Sequence, residues 1–217
     1  MTVLTKYDFI ALDYVGRVTD TDNVFDVTRK EDAEQYGLFH EQATYIPRIV
    51  GVGMSSLVAG LDTALPGKEV GKTYTVAVPS SLAFGPRNAK LLQLVPTKVL
   101  LAQKIRPMVG LQIFAAGRFG TIRSVAGGRT TVDFNHPLAG KDLTYTFTIV
   151  RLVTDVSEKV AALLDHGLHL RPEDYILDHK EKTVTITPKK KIPASVQNNF
   201  LQICTEVLKD VTVTFAA

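Results

Sequence analysis

Cysteine and tryptophan are almost absent from this chain, and their absence narrows its chemistry. The 217 residues include no tryptophan and one cysteine, Cys204, so neither an intrachain disulfide nor a thiolate metal cluster can form. We expect Cys204 to be a small buried apolar residue on a helix. The five histidines are scattered. His166 and His169 share a helical spacing but have no third ligand beside them, so no metal and no other cofactor is predicted.

Long apolar runs are also missing. The longest apolar stretch, residues 91–102, is interrupted by Gln93, Pro96 and Lys98 and is too short to span a bilayer. The first residues carry charges where a signal peptide would have its apolar core. We therefore expect no membrane association and a cytoplasmic location. With 45% apolar residues and a net charge of +3, the chain can form one large core or two to three small ones.

The first part of the chain predicts a hairpin, a helix and a further strand. Residues 6–27 contain two runs rich in β-branched and aromatic residues, joined by a polar turn, which is typical of a β-hairpin. Residues 57–65 carry leucines on one face of a helix that Pro66 ends. Residues 73–78 then alternate as a strand.

Six short motifs occur in an order that resembles a known family. They are Phe25-Asp26, residues 57–65, residues 67–71, Ala83-Phe84-Gly85, Val95-Pro96 and residues 132–140. Together they resemble the FKBP-type peptidyl-prolyl cis-trans isomerases, and most closely the SlyD-like branch, whose members carry an extra domain inserted in the flap. The resemblance covers roughly residues 4–153. It implies an isomerase of Xaa-Pro bonds that uses no cofactor.

The resemblance and the later patterns together predict an α+β fold with three domains. Residues 1–91 plus 138–154 would form the isomerase domain, an antiparallel sheet wrapped on a short helix. Residues 92–137 would form a small inserted β domain. Residues 155–217 would form a C-terminal α/β domain of ββαβ type.

The predicted insert is a basic segment with three strand-like runs, residues 109–114, 120–125 and 129–134, separated by turns that contain glycine. It holds six lysine and arginine residues against Asp133 alone, a net charge of +5 that exceeds the excess of the whole chain. This charge would favour acidic clients or a ribosomal RNA surface, although no aromatic stacking motif accompanies it.

Residues 132–140 would return the chain from the insert to the isomerase domain. We expect Asn135, His136 and Pro137 in this segment to fix the insert relative to the pocket and to take no part in chemistry.

The C-terminal region lies outside the SlyD-like pattern. Asp155 and Glu158 resemble a capping box, in which Asp155 accepts from the free N–H groups of a helix and Glu158 reaches back. A hairpin, a helix opened by Pro193 and a strand over residues 211–215 follow. The region resembles the extra domain of the longer archaeal FKBP-type proteins, which implies a homodimer formed through it.

The resemblance also places the pocket residue by residue. It implies a catalytic set of four aromatic residues and one acid: Tyr14, Phe25, Asp26, Phe84 and Tyr145. Asp26 would be the single buried carboxylate, and Leu57, Val58 and Leu61 would bind the substrate, with the Val58 N–H on a peptide carbonyl. Phe84 stands where the family most often has a tyrosine. The phenol that would hydrogen-bond the substrate is then missing, a loss of roughly 0.5–1.5 kcal/mol, and we expect reduced activity.

The resulting hypothesis is a folding helper that isomerises Xaa-Pro bonds in partly unfolded polypeptides. Apolar residues of the insert would bind these clients: Leu92, Leu94, Val99 and Leu100. Each of these residues, taken alone, also suits an ordinary core position. Two alternatives stay open, a holdase chaperone and a ribosome-associated binding module, each with a weak or vestigial isomerase pocket.

Overall fold

The computed structural model of the protein describes residues 3–115 and 117–216. Within them the chain forms two compact units: the first runs to Val78 and resumes at Leu143, and the second comprises Pro79–Asp142. The second unit is wider than the predicted insert because the segments that flank the insert pair with each other. The predicted domain limits at residues 1 and 217 lie outside the described residues, and the three-domain division stays a prediction.

The helices and strands of the described residues have the following bounds in chain order: β1 (Phe9–Val18), β2 (Val24–Val27), α1 (Lys30–Gln35), β3 (Arg48–Gly51), α2 (Ala59–Asp62), β4 (Thr73–Val78), β5 (Leu92–Pro96), α3 (Thr97–Ala102), β6 (Gln112–Ala115), β7 (Arg118–Ala126), β8 (Arg129–Asp133), β9 (Leu143–Leu152), α4 (Val156–Leu168), β10 (Tyr175–Lys180), β11 (Thr183–Pro188), α5 (Ala194–Val207) and β12 (Thr212–Phe215).

A five-stranded antiparallel sheet forms the centre of the first unit, in the order β2-β1-β9-β4. β2 and β3 both pair with the same edge of β1. β3 pairs with the first half of β1, and β2 pairs with its second half. Nearly every residue of β1 is buried, so both faces of this strand are covered. This explains why the sequence of β1 alternates only weakly, since strands buried on both faces have near-continuous apolar runs.

The predicted helix over residues 57–65 is shorter in the structure. α2 covers only four residues, because Val58 has an extended conformation with φ −58° and ψ 141° and Thr63 already ends the helix. The leucine spacing nevertheless identified buried residues, since Leu61 and Leu65 are both fully buried. Leu57 and Val58 are half-buried and lie ahead of the helix.

The second unit is a four-stranded antiparallel sheet in the order β5-β8-β7-β6, with α3 following β5. β6, β7 and β8 confirm the three strands predicted from the sequence. β5 and α3 were missed, because a leucine-rich segment with one proline does not distinguish a strand from a helix. The unit has a small core of five buried side chains: Leu100, Ile113, Ile122, Val132 and Phe134.

The C-terminal region begins with α4, and its cap differs from the predicted capping box. Asp155 accepts a hydrogen bond from the Glu158 N–H at 2.8 Å, as expected. The Glu158 carboxylate does not reach back; it accepts two hydrogen bonds from the Arg151 guanidinium, at 2.9 and 3.0 Å. The prediction was wrong in this half because a charged partner on β9 competes for the carboxylate.

After α4, the order is β10, β11, α5 and β12, with β10 antiparallel and β12 parallel to β11. Cys204 lies on α5 and is 1% exposed, and burial raises the pKa of its thiol to about 12. The expectation of a buried structural cysteine is thus confirmed. The C-terminal elements share an apolar core with the first strand of the chain, since Phe9 and Ala11 belong to the same cluster as Val160 and Phe200.

The α+β class is confirmed, with few helices and with sheets that are antiparallel except for the pairing of β11 with β12. Among the described residues, no helix has the length and apolar character needed to cross a bilayer. The cytoplasmic location stays a prediction.

Candidate functional site

An acid and a phenol form the polar centre of the candidate site. The Tyr14 hydroxyl on β1 donates to Asp26 Oδ2 on β2 at 2.8 Å. The two strands pair so that Gly16 lies opposite Asp26, which brings Tyr14 near the carboxylate along the same strand. Asp26 is half-buried. It is not the single buried carboxylate that the sequence predicted, because Asp62 and Asp133 are more deeply buried.

Two further aromatic rings lie beside this pair. The ring of Tyr145, on β9, meets the ring of Tyr14 edge-on at a centroid distance of 5.8 Å, and the ring of Phe25 in the same way, also at 5.8 Å. Edge-to-face contact at this distance is a favourable geometry for aromatic pairs. We call Tyr14, Phe25, Asp26 and Tyr145 the aromatic cluster. The structure thus brings together four of the five residues predicted as catalytic.

Gly16 makes this packing possible, and the sequence analysis did not single it out. Gly16 pairs with Asp26 on one side and with Tyr145 on the other. A Cβ atom at Gly16 would lie 2.8 Å from Phe25 Cζ and 3.0 Å from Tyr145 Cε1. The sequence does contain a signal for this role. Gly16 lies inside a strand, two residues after an aromatic residue, and a glycine within a strand often marks a position that other groups approach closely.

Both phenols of the aromatic cluster have raised pKa values, and both are protonated at neutral pH, as an ordinary tyrosine is. Burial, with Asp26 as the next contribution, raises the pKa of Tyr14 to about 12. Burial also raises the pKa of Tyr145 well above its usual value. A protonated Tyr14 is a hydrogen-bond donor, so it can hold the Asp26 carboxylate in one orientation.

Arg48 adds a positive charge beside the cluster, and the sequence analysis missed it. It lies on β3, where it pairs with Leu12, two residues before Tyr14. Burial raises the pKa of Tyr14, whereas the Arg48 guanidinium lowers it in part. No motif distinguished this arginine, because its neighbour in space is separated from it by more than thirty residues.

The residues predicted to bind substrate lie around α2. Leu61 is fully buried, and α2 packs against β4, whose Val76 pairs with Tyr145. The Val58 N–H has no hydrogen-bond acceptor among residues 3–115 and 117–216. A free N–H next to a half-buried apolar side chain can receive a peptide carbonyl. The substrate-binding roles of Leu57, Val58 and Leu61 stay predictions.

Phe84 belongs to the second unit. Its ring stacks on the imidazole of His136, with the centroids 4.2 Å apart and the planes at 4°. His136 Nδ1 accepts a hydrogen bond from the Leu138 N–H at 3.1 Å, which fixes the imidazole. Sequence reasoning expected no chemistry from His136 and did not find its contact with Phe84. The catalytic role of Phe84 stays a prediction.

The segment before the predicted insert is bound to the last residues of the insert. Asp133 is 1% exposed and forms ion pairs with Arg87 and Arg123, the latter at 3.0 Å. Asn135 accepts from the Asn88 N–H at 2.8 Å and donates to the Asn88 carbonyl at 3.1 Å. The segment over residues 132–140 is therefore fixed within its own unit by a polar network around the buried Asp133.

The apolar residues predicted to bind clients differ in exposure. Leu92, Leu94 and Val99 are exposed by 44%, 64% and 42%, so their side chains are available for contact. Leu100 is 1% exposed and belongs to the core of the second unit, so we do not assign it to client binding.

The structure adds an exposed aromatic pair that sequence reasoning missed. Phe114 and Phe119 lie opposite each other on β6 and β7, with centroids 5.0 Å apart, and are 59% and 74% exposed. Met108 and Val109, which precede β6, are also exposed. The missed signal was the alternation of Gln112, Ile113 and Phe114, which places Ile113 inside and Phe114 outside.

The aromatic cluster offers apolar walls, one carboxylate and no strong nucleophile. No group of three or more His, Cys, Asp or Glu side chains suited to a metal ion occurs in the described part of the chain. Such a surface suits a reaction in which bonds rotate without being broken.

Comparison with known proteins gives the following matches. A family model described as FKBP-type peptidyl-prolyl cis-trans isomerase matches residues 2–101, and one described as FKBP26, IF domain matches residues 93–138. A short-type peptidyl-prolyl cis-trans isomerase of Methanocaldococcus jannaschii is 31% identical over 149 residues, which are 69% of this chain and 94% of that protein.

Two bacterial relatives are each called FKBP-type peptidyl-prolyl cis-trans isomerase SlyD. The protein of Escherichia coli K12 is 35% identical over 121 residues, 54% of this chain and 61% of that protein. The protein of Haemophilus influenzae is 34% identical over 122 residues, 54% of this chain and 63% of that protein. This chain therefore spans less than two thirds of the length of either SlyD.

Proposed function

The chain belongs to the FKBP-type peptidyl-prolyl cis-trans isomerase family, and on this premise we propose that its aromatic cluster accelerates rotation about Xaa-Pro bonds in partly unfolded polypeptides. The observation that carries the proposal is the hydrogen bond of 2.8 Å from Tyr14 to Asp26, beside the rings of Phe25 and Tyr145. This arrangement offers a proline ring an apolar environment with one oriented carboxylate.

Rotation about a prolyl bond needs no nucleophile. Amide resonance sets a barrier of about 18–20 kcal/mol, and without a catalyst the rotation takes tens to hundreds of seconds. In the twisted transition state the amide loses its charge separation, so an environment that excludes water favours that state over the planar ground state. The buried rings of Tyr14 and Tyr145 supply such an environment.

The free N–H of Val58 supports a binding role for the segment before α2. It has no acceptor in the described chain, while the Val58 carbonyl accepts from the Leu61 N–H at 2.9 Å. We propose that this N–H donates to a substrate carbonyl, with Leu57 at the rim and Leu61 at the floor of the pocket.

A refolding assay tests the isomerase. The substrate is a protein whose refolding is limited by one non-native prolyl bond, and the rate is compared for the full chain and its Asp26→Ala variant. We expect at least a tenfold loss of acceleration, because the variant removes the carboxylate that Tyr14 holds. Asp20→Ala, at an exposed turn position, is the control and should keep the full rate. Equal rates for Asp26→Ala and the control would reject the aromatic cluster as the site.

Phe84→Tyr tests the role proposed for Phe84. A hydroxyl that reached the substrate carbonyl would contribute about 0.5–1.5 kcal/mol, a rate gain of about two- to tenfold. The ring can keep its stack on His136, because the new hydroxyl adds no bulk to the ring faces. An unchanged rate would mean that another group already makes this contact.

For the second unit we propose a client-binding surface. Its supporting observation is that six apolar side chains of this unit are exposed outside the small core: Leu92, Leu94, Val99, Met108, Phe114 and Phe119. Soluble proteins rarely expose a large apolar patch without a binding function. The same observation supports the second candidate function, a holdase whose isomerase pocket is weak.

A ribosomal partner has less support. Of the basic residues of the second unit, Arg87 and Arg123 are paired with Asp133, and Arg118 lies over the ring of Phe134 at 4.7 Å. These three arginines therefore already interact with groups of their own unit, which leaves less of their charge for an RNA partner. A ribosomal contact predicts a steep loss of binding with salt, whereas an apolar client contact predicts little salt dependence.

A homodimer through the ββαβ-type C-terminal region remains part of the proposal. β10 and β12 are the edges of its three-stranded sheet, and Ile176 on β10 is 60% exposed. Exposed strand edges can pair with a second chain. Sedimentation over a range of concentrations tests this, with a single monomer species at all concentrations as the result that rejects it.

A further inference from the structure

The carboxylate of Asp62 is the most deeply buried polar group next to the proposed substrate-binding segment. Asp62 is the last residue of α2 and is 6% exposed. Its two carboxylate oxygens accept hydrogen bonds from the Gly53 N–H and the Ser55 N–H, both at 2.9 Å. Both oxygens of the side chain thus accept hydrogen bonds from the backbone of residues 53–58, which we call the rim loop.

The rim loop has a conformation that needs such support. Gly53 and Ser55 both have positive φ angles, 72° and 57°. Glycine adopts this left-handed region freely, but a serine there is disfavoured by contact of its Cβ with the backbone. Hydrogen bonds from backbone N–H groups to a charged carboxylate are stronger than those to a neutral acceptor. Asp62 therefore holds Ser55 in a conformation that the loop would otherwise tend to leave.

Asp62 also holds the other end of the rim loop. Its own N–H donates to the Val58 carbonyl at 3.0 Å. The Asp62 side chain thereby fixes Gly53 and Ser55, and the backbone bond to Val58, which any residue at this helical position would make, fixes the end of the segment. The Val58 N–H belongs to the peptide unit between Leu57 and Val58, so its direction follows from the conformation that the rim loop adopts between Ser55 and Val58.

We propose that Asp62 is a positioning residue of the isomerase, which holds the rim loop so that the Val58 N–H points at the substrate carbonyl. The inference rests on the proposed function, since it assumes that Val58 receives the substrate. Asp62 acts through the rim loop and not by direct contact, because its side chain is buried and its two oxygens each accept from a loop N–H group.

The test variant is Asp62→Asn in the full chain. Asparagine has nearly the same shape, but its amide group offers only one acceptor oxygen, and its NH2 group faces a donor N–H. We expect the KM for a short proline-containing peptide to rise about tenfold, the effect of one lost hydrogen bond to a charged group, while kcat stays within about twofold. The amide NMR signals of Gly53, Ser55 and Val58 should shift, and those of β9 should not.

Two further variants separate positioning from general stability. Asp32→Asn alters another buried carboxylate of the same unit, whose partner is the Arg29 side chain, and should leave KM unchanged. Ser55→Gly combined with Asp62→Asn should recover about threefold in KM, because glycine adopts a positive φ without strain.

The outcomes are distinct. An active wild-type chain with an unchanged KM in Asp62→Asn, or with equal changes in Asp62→Asn and Asp32→Asn, would overturn the positioning role and leave the isomerase proposal intact. A fall in kcat at constant KM would also overturn it. A wild-type chain without isomerase activity would overturn the proposed function and, with it, this inference.

Discussion

The two units of the molecule differ in how much of their apolar side-chain surface is buried. The first unit buries them on both faces of its central strand, from Ile10 and Leu12 to the cluster that joins Phe9 with α4 and α5. The second unit has a core of five side chains, and most of the exposed large apolar side chains of the described residues lie on it, although it is the smaller unit. The first unit therefore keeps most of its apolar side chains in a core, whereas the second leaves many of them on its surface.

The difference has an energetic consequence. Apolar burial contributes roughly 25 cal/mol per Å² removed from water, and a segment of this size buries a smaller fraction of its surface than a larger domain does. The second unit must therefore gain stability elsewhere. The buried Asp133, with its two arginines and the N–H and side-chain NH2 of Asn135, supplies a polar network at the point where the chain leaves the insert.

Asp133→Ala should have the largest effect on stability. It removes a buried carboxylate that accepts hydrogen bonds from charged groups, each worth about 1.5–3 kcal/mol, and we expect the second unit to lose about 3 kcal/mol. Hydrogen exchange of the β7 and β8 amides measures this loss. The control is Asp142→Ala, an exposed carboxylate that accepts from the Ser80 N–H. A loss shared equally by the β1 and β9 amides would contradict the assignment of this network to the second unit.

Gly16→Ala should have the next largest effect, and on the first unit. The new methyl group would lie 2.8 Å from Phe25 and 3.0 Å from Tyr145, and overpacking of this kind costs about 1–3 kcal/mol. Isomerase activity should fall together with the free energy of unfolding. The matched control is Gly167→Ala in α4, where the nearest atom is Phe200 Cδ2 at 3.9 Å. Alanine there should stabilise the chain by about 0.5–1 kcal/mol, since the position is helical. Effects of the same sign at both glycines would reject the packing argument.

The sequence predicted the first unit better than the second, and the reason is physical. Strands β1, β4 and β9 carry local patterns that predict the sheet from the residues alone, whereas the aromatic cluster was predicted only through the family resemblance. α2 was predicted too long because leucine periodicity reports burial, and Leu65 is buried without being helical. Gly16 and Arg48 were missed because their roles depend on neighbours in other strands.

The second unit was harder to predict because its exposed residues break the usual relation between apolar character and burial. Leu94 and Leu100 have the same side chain, yet one is 64% exposed and the other 1%. Composition cannot distinguish the exposed leucine from the buried one. Which of the two is buried depends on the pairing of β5 with β8 and on the face of α3 that meets Ile113 and Ile122. Phe114 was missed for the same reason.

Alkaline pH should weaken the first unit selectively. All seven tyrosines lie in it, and burial raises the pKa of Tyr14 to about 12, against about 10 in an unfolded chain. The stability contributed by the neutral phenol is present in full below pH 10 and is lost as the pH rises from 10 to 12. We expect Tyr14 to account for a loss of about 2 kcal/mol, measured by urea unfolding with β1 and β9 amides as probes. Tyr14→Phe should flatten this pH dependence; an unchanged slope would contradict the raised pKa.

Replacing Phe114 and Phe119 by serine should have the smallest effect on stability and the clearest effect on function. Both side chains are mostly exposed, so the free energy of unfolding should change by less than about 0.5 kcal/mol. Suppression of aggregation of an unfolded client should fall severalfold, because the variant removes an aromatic pair from the surface, while isomerisation of a short peptide should not change. Ile46→Ser, at an exposed apolar position of the first unit, is the control and should leave both activities intact. Equal loss of aggregation suppression in the control would mean that exposed apolar area anywhere on the chain binds clients, and the division of labour between the two units would fail.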